Sequence, residues 1–203
     1  MCLATIGCAG SIEQAKYKVL EVDENFELRF YEPRVLVETE VESSMEDAGN
    51  KAFRKLFNYI SGNNQSKTEI AMTIPVSQEK NSEQIEMTTP VSQESSTKGW
   101  KVSFLLPQKY TISTAPSPLN PEVYLREIPK QYVVAVQYSG RWKESTYTEH
   151  LEKLFDWMKA KNFSPNGNPS WARYNSPWTP WFLRKNEILI PVLIDHHESE
   201  NKS

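Results

Sequence analysis

Lys55–Ile60 reads KLFNYI and Lys153–Met158 reads KLFDWM. Each stretch closes a run with the apolar spacing of a helix. In the first run Ala48, Ala52, Phe53, Leu56, Phe57 and Ile60 recur every three or four positions and form one stripe. In the second, Tyr147, Leu151, Leu154, Phe155 and Met158 do the same. The correspondence extends upstream, because Leu28–Arg29 stands before the first helix as Leu125–Arg126 stands before the second. The offsets are 97 and 98 residues. A helix with one apolar stripe has to cover one face of a sheet. The chain therefore reads as two similar halves, each made of strands, one amphipathic helix and further strands. Two such halves predict an α+β fold, a pseudo-twofold β-barrel with a helix on each side.

The strands lie around these helices. Tyr17, Val19 and Val22 mark one, and Phe26, Leu28 and Phe30 a second, joined by a turn at Asp23–Asn25. Val35, Val37, Thr39 and Val41 alternate as a third, which is expected to point Glu38 and Glu40 toward water. Ser43 and Glu46 have the spacing of a capping box at the start of the first helix, and Gly62 supplies its stop. Thr146 and Glu149 offer a second box. Trp100, Val102, Phe104 and Leu106 alternate again, whereas the proline- and serine-rich stretch from Pro107 to Pro121 reads as a connection. Val123 with Leu125, Tyr132–Tyr138, and Glu187 to about Ile194 complete the strands, with a turn at Asn166–Pro169.

The 203 residues suit one compact domain, taken here as 15–194 between a flexible N-terminus at 1–14 and a disordered polar tail at 195–203. The net charge of −3, with acids and bases interspersed, argues against a nucleic-acid binder, which would carry a basic face. No apolar run is long enough for a transmembrane span, so a soluble, cytoplasmic protein is expected. Cys2 and Cys8 both fall at the very start. The segment LATIGC ending at Cys8 has the form of a lipoprotein signal terminus, and the alternative to a frayed end is a periplasm-facing lipoprotein acylated at Cys8. That alternative needs a translation start upstream of Met1. His196 and His197 sit in the polar tail, where two adjacent exposed imidazoles without other ligands make a poor metal site.

A second repetition narrows the family. Ile70–Glu79 reads IAMTIPVSQE and Ile85–Glu94 reads IEMTTPVSQE, identical at eight of ten positions. Each copy is expected to end a short apolar run at its proline, as an edge strand or strand exit would. With the helix KAFRKLFNYISGNN at Lys51–Asn64 and the closing WARYNSPWTPWFLRKNEILIPV at Trp171–Val192, these segments resemble the bacterial branch of the SOUL haem-binding family over roughly Tyr17 to Val192. The resemblance implies a distorted barrel of about eight strands flanked by two helices. It also implies haem or another porphyrin as partner and cofactor, held non-covalently in an apolar cleft between the first helix and the loop before the last strand. Phe53 and Phe57 fall on matching helix positions, and Tyr174, Trp178 and Trp181 on the matching loop. Aromatic faces of this kind suit a flat macrocycle. The resemblance also marks departures. Asn50, Asn58 and Thr179 stand where the cytosolic animal protein carries basic residues near the haem propionates. The retinal member's axial histidine lies in its N-terminal half, whereas the first histidine here is His150.

Each of these residues has a structural reading beside the functional one. Phe53 and Phe57 are core residues or pocket walls. Trp178 and Trp181, flanked by Pro177 and Pro180, pack on the barrel or line a cleft. Met72 and Met87 are packing residues or sulfur ligands to iron. His150 reads as a helix-surface residue. Arg184 and Lys185 either meet propionates or pair with Glu187. No cysteine–histidine pair, phosphate loop or nucleophile elbow stands in the body of the chain, so a binding protein is expected rather than an enzyme. Transport, buffering or sensing of a tetrapyrrole is the leading reading. The alternative is a module on the same fold that senses a different small molecule or binds a protein.

Overall fold

The computed structural model describes residues 13–66, 85, 87–97 and 99–194. The first duplicated segment with Met72, both cysteines, and His196 and His197 lie outside the described residues. In chain order the elements are β1 (Tyr17–Asp23), β2 (Phe26–Tyr31), β3 (Arg34–Val41), α1 (Met45–Ile60), β4 (Asn64–Gln65), β5 (Val91–Ser96), β6 (Gly99–Leu105), β7 (Ser117–Pro118), β8 (Val123–Ile128), β9 (Gln131–Tyr138), α2 (Glu144–Ala160), β10 (Ser164–Pro165), β11 (Ser170–Arg173), a short 3-10 helix (Trp181–Leu183) and β12 (Asn186–Leu193).

Ten strands form one antiparallel sheet in the order β1-β2-β9-β12-β11-β5-β6-β3-β8, with β10 beside β12, while β4 and β7 pair apart from it. Exchanging β2 with β8, β3 with β9, β5 with β11 and β6 with β12 leaves the order from β2 to β8 unchanged when read in reverse. The two halves suggested by the sequence are therefore real, and they are interleaved. The first strand of each half is given to the other, β2 to β9 and β8 to β3. The internal axis runs between β5 and β11. The sheet curls into a distorted barrel that the ladder does not close, since β1 and β8 are its end strands.

Strand alternation sorts the side chains. Val35, Val37, Val102 and Phe104 face α1 and meet Ala48, Ala52, Leu56 and Ile60. Leu28, Val134, Val136, Ile188 and Ile190 face α2 and meet Leu154, Trp157 and Met158. Leu56 and Leu154 are fully buried at 0% exposure, each worth about 1.5–3 kcal/mol of transfer free energy. The KLF repeats use their aromatic positions alike. Tyr59 and Trp157, at the fifth position, are buried and send their polar tips to Pro116 O and Asp23 Oδ2, both at 2.9 Å. Phe57 and Phe155, at the third, are exposed, because helical rotation carries them off the core stripe.

Several expectations change. Glu38 does not face water. It is fully buried, because the strand face opposite α1 is the barrel interior rather than solvent. The α1 cap is Ser44, one residue later than expected, with Oγ accepting from Asp47 N at 3.2 Å. The second helix starts at Glu144 with no side-chain cap, so Thr146 lies inside its first turn. Pro90 does not end a strand; it precedes β5, a central strand between β11 and β6. Met87 is partly exposed rather than core. His150 is not a plain surface residue, since its ring stacks on Tyr138 at 4.0 Å. Gly62 ends α1 as expected, at a φ of 104° that favours glycine.

Candidate functional site

The loop between β9 and α2 and the loop between β11 and β12 stand together beside the start of α1. Trp142 anchors the first, its Nε1 donating to Asn186 Oδ1 at 2.8 Å. Gly140, at a φ of 145°, donates from its backbone N to Trp181 O at 3.1 Å and joins the two loops. Arg184 holds the second loop in shape. Its Nε donates to Thr179 O and its Nη2 to Pro177 O, both at 2.8 Å, and its guanidinium lies 4.3 Å over the Trp142 ring. Glu46, in the first turn of α1, reaches across to accept from Glu144 N at 3.4 Å, which supplies the start of α2 with the acceptor its own Lys143 lacks.

These fixed walls leave an open cleft of about 620 Å³ lined by Glu46, Trp142, Pro177, Trp178 and Trp181, with Arg141, Lys143 and Arg184 around it. Trp178 is 93% exposed and Trp181 48%. Arg141 stands 5.1 Å over the Trp181 ring. With Phe182 and Leu183, 58% and 64% exposed on the same loop, these indoles make a clustered apolar surface of the kind that marks an interaction site. The cleft thus offers the bare indole of Trp178, the Trp181 ring with Arg141 beside it, and the cations Arg141 and Lys143, groups that suit a planar ligand carrying carboxylates.

Residues 12–191 match the family model described as SOUL heme-binding protein. The chain belongs to that family. Its relatives include heme-binding protein 1 of Mus musculus, 26% identical over an alignment of 192 positions that covers 89% of this chain and 93% of the mouse protein. Among solved structures, one described as a hydrolase from Listeria innocua superposes with a TM-score of 0.58 at 13% identity, covering 83% of this chain and 92% of that one. The EcmrR C-terminal domain superposes with a TM-score of 0.55, also at 13% identity, over 87% of this chain and 98% of that one. At these identities the two structures share the SOUL fold, and the likeness extends to the fold alone.

The aromatic residues singled out in the sequence do not share one pocket. Trp178 and Trp181 line the cleft. Phe53 and Phe57 stack on each other at 5.6 Å at the edge of the α1 core, 40% and 45% exposed, with Phe53 edge-on to the buried Phe104 at 5.4 Å. With Glu46 and Asn50 they fall on one helical stripe, so the pair continues along α1 from the cleft's edge. Tyr174 turns inward. Its hydroxyl donates to Glu187 Oε2 at 2.5 Å, beside the bidentate ion pair of Arg29 with Glu187, whose two contacts are both 2.9 Å. Burial and the neighbouring carboxylate push the Tyr174 hydroxyl far up. Burial alone would raise Glu187, but the Arg29 fork holds it below the ordinary carboxylate value. Lys185 pairs with Glu187 at 3.1 Å as expected, but Glu187 is fully buried, so the pair belongs to the interior network and not to the surface. Arg184 shapes the loop instead of joining that pair.

Sequence reading missed Arg141, Trp142 and Lys143. A basic–aromatic–basic triplet immediately before a helix was the available signal. Among the described residues none of the lining side chains is a histidine, cysteine or methionine. His150, on α2 against Tyr138, is held below its ordinary value first by burial and then by Lys153. Among the described residues no helix is long and apolar enough to cross a membrane.

Proposed function

We propose that this SOUL-family chain binds haem or a related tetrapyrrole in the cleft between the start of α1 and the loop at 177–184. The observation that carries this reading is the pair of exposed indoles, Trp178 and Trp181, on walls held rigid by Arg184 and Trp142. The macrocycle lies against these two rings and extends along α1 toward Phe53 and Phe57. Arg141 and Lys143 meet the propionates in place of the basic positions that Asn50, Asn58 and Thr179 leave neutral. Haem so held would bring its own redox and ligand chemistry, and the chain's part is to stack, orient and neutralise. The described cleft wall offers indole faces and cations, so affinity rests on the ring face and the propionates. That suits exchangeable binding, as transport, buffering or sensing requires.

A second reading rests on the same lining: a flat apolar anion other than haem, or a partner peptide, would meet the same indoles and cations. Titration of the purified protein with hemin, followed by the Soret band and tryptophan quenching, separates the two. A saturable one-to-one transition supports tetrapyrrole binding. Weak, non-saturating quenching overturns it in favour of the second reading.

A further inference from the structure

A separate cavity lies inside the barrel, on the far side of the sheet from both helices. It measures about 290 Å³. It spans the internal axis, because residues 97 apart line it in pairs: Tyr31 and Ile128, Arg34 and Gln131, Leu36 and Val133. Leu36, Leu105 and Ile128 form a buried apolar cluster in its wall. The volume lies near the lower end of the roughly 300–1,000 Å³ of small-molecule sites, too small for a tetrapyrrole and ample for a single ring or short chain.

Arg34 is the unusual member of this wall. Its Nη1 is shielded from solvent and has no hydrogen-bond partner among the described residues, and its guanidinium lies 4.5 Å over the Tyr31 ring. The other two arginines on the inner face are matched by acids. Arg29 is engaged by Glu187 and Glu27, and Arg126 by Glu38 and Glu94. Among the described residues no carboxylate lies within ion-pair distance of Arg34. Burial holds its pKa below the ordinary value, against the opposing pull of Tyr31 and the more distant Glu94 and with Arg126 acting in the same direction as burial. Arg34 is half-buried, and a shielded guanidinium nitrogen left without an acceptor is costly unless an anion meets it. The fold does not require an arginine here, since the related position in the other half is the neutral Gln131.

We propose that this cavity is a second ligand site, for a small organic monocarboxylate. Its carboxylate meets the Arg34 guanidinium fork, and its apolar body lies against Leu36, Leu105 and Ile128. Arg matches a carboxylate in a planar, two-bond geometry that Lys does not reproduce. Glu94 and Glu127 also border the cavity, which disfavours dianions and phosphates. The site is independent of the Trp178 cleft and does not depend on haem binding there.

The test is calorimetric titration of the full chain with hexanoate and benzoate, against hexanamide and benzamide as neutral isosteres. The carboxylates are expected to bind saturably and the amides at least tenfold more weakly. Arg34→Gln, which installs the residue the other half carries, is expected to weaken carboxylate binding tenfold or more and leave hemin titration unchanged. Leu36→Phe keeps the charge but fills the space, and should abolish binding even where Arg34→Gln folds poorly. Equal binding of acid and amide, undiminished binding in both variants, displacement of the carboxylate by hemin, or no binding at millimolar probe would each overturn the proposal.

Discussion

Gln93 Oε1 accepts from Arg173 Nη2 at 2.9 Å while Gln93 Nε2 donates to Met45 O at 2.7 Å. Gln93 belongs to the duplicated PVSQE segment and Arg173 to the closing WARYN segment, two of the three motifs by which the sequence resembles its family. Their strands, β5 and β11, are the pair that meets at the internal axis. One amide thus ties the two halves of the sheet to the first turn of α1. Arg173 is buried between Trp171 at 3.8 Å and Trp142 at 5.0 Å, and burial brings its pKa down to about 10. Gln93→Leu keeps the size and strips both hydrogen bonds, leaving a buried cation and a buried carbonyl without this partner. The expected loss is about 3 kcal/mol, the upper range for an orphaned buried group. Urea unfolding measures it, and a change below about 0.5 kcal/mol would mean the amide is replaceable by solvent.

Gly49 makes a second test of the same centre. A Cβ there would lie 2.9 Å from Arg173 Nη1. In a free helix, alanine would stabilise this position by about 1 kcal/mol. Here the guanidinium is sandwiched between two indoles and cannot swing aside without losing Gln93. Gly49→Ala is therefore expected to destabilise the protein. In an Arg173→Ala background the same substitution should become stabilising. A double-mutant cycle reads the sign reversal directly, and the same sign in both backgrounds would sink the contact.

Two interior carboxylates predict opposite pH responses. Glu187 has a folded pKa below its unfolded value, so its stabilisation is present above the ordinary carboxylate range and is lost as pH falls through the depressed value. Glu38 is raised, first by burial and against the pull of Arg126, so its favourable state is the protonated one. Its contribution is complete below the ordinary range and is lost as pH rises through the elevated value. Glu187→Gln should flatten the acid limb of the stability–pH curve and cost about 3 kcal/mol or more at neutral pH by leaving Arg29 short of its counter-charge. Glu38→Gln should flatten the rise side and change neutral stability little, because Arg126 keeps Glu94. Parallel chemical denaturation from pH 3 to 8 checks both; identical curves for the two variants would contradict this assignment.

The pattern of the fold was legible because alternation and helical spacing are local. Leu28–Arg29 and Leu125–Arg126 sit on strands related by the internal axis, and the KLF helices cover the two halves of the sheet. What the spacing could not distinguish was the identity of the second strand face. Glu38 alternates with valines whether its side points to solvent or into a barrel, and only the curl of the sheet decides. The same limit applies to Tyr174, which shares a loop with Trp178 yet bonds Glu187 on the inner face. Phe53 and Phe57 differ from Leu56 by only one or three helical steps, and the tilt of α1 on the sheet selects which of them is covered. Arg141 and Lys143 come to the cleft through the anchoring of Trp142 by Asn186, a contact across 44 residues.

The cleft itself gives the last prediction. If the macrocycle stacks on the exposed indoles and runs along α1, Trp178→Ala removes a large flat contact that the folded chain does not use for its own packing. Hemin affinity should fall about tenfold, or about 1.4 kcal/mol, the upper part of the roughly 0.5–1.5 kcal/mol range for an aromatic stack, while stability stays within about 0.5 kcal/mol, as for an exposed side chain. Phe57→Ala should weaken binding less, since Phe57 shares its face with Phe53 at 5.6 Å. Arg141→Ala combined with Lys143→Ala should lower affinity most at low ionic strength, where exposed cations act over the longest range. Hemin titrations of the three variants at two salt concentrations, with urea melts beside them, separate these contributions. Affinity that drops only where stability drops would mean that the loop is part of the barrel's packing and that the ligand lies elsewhere.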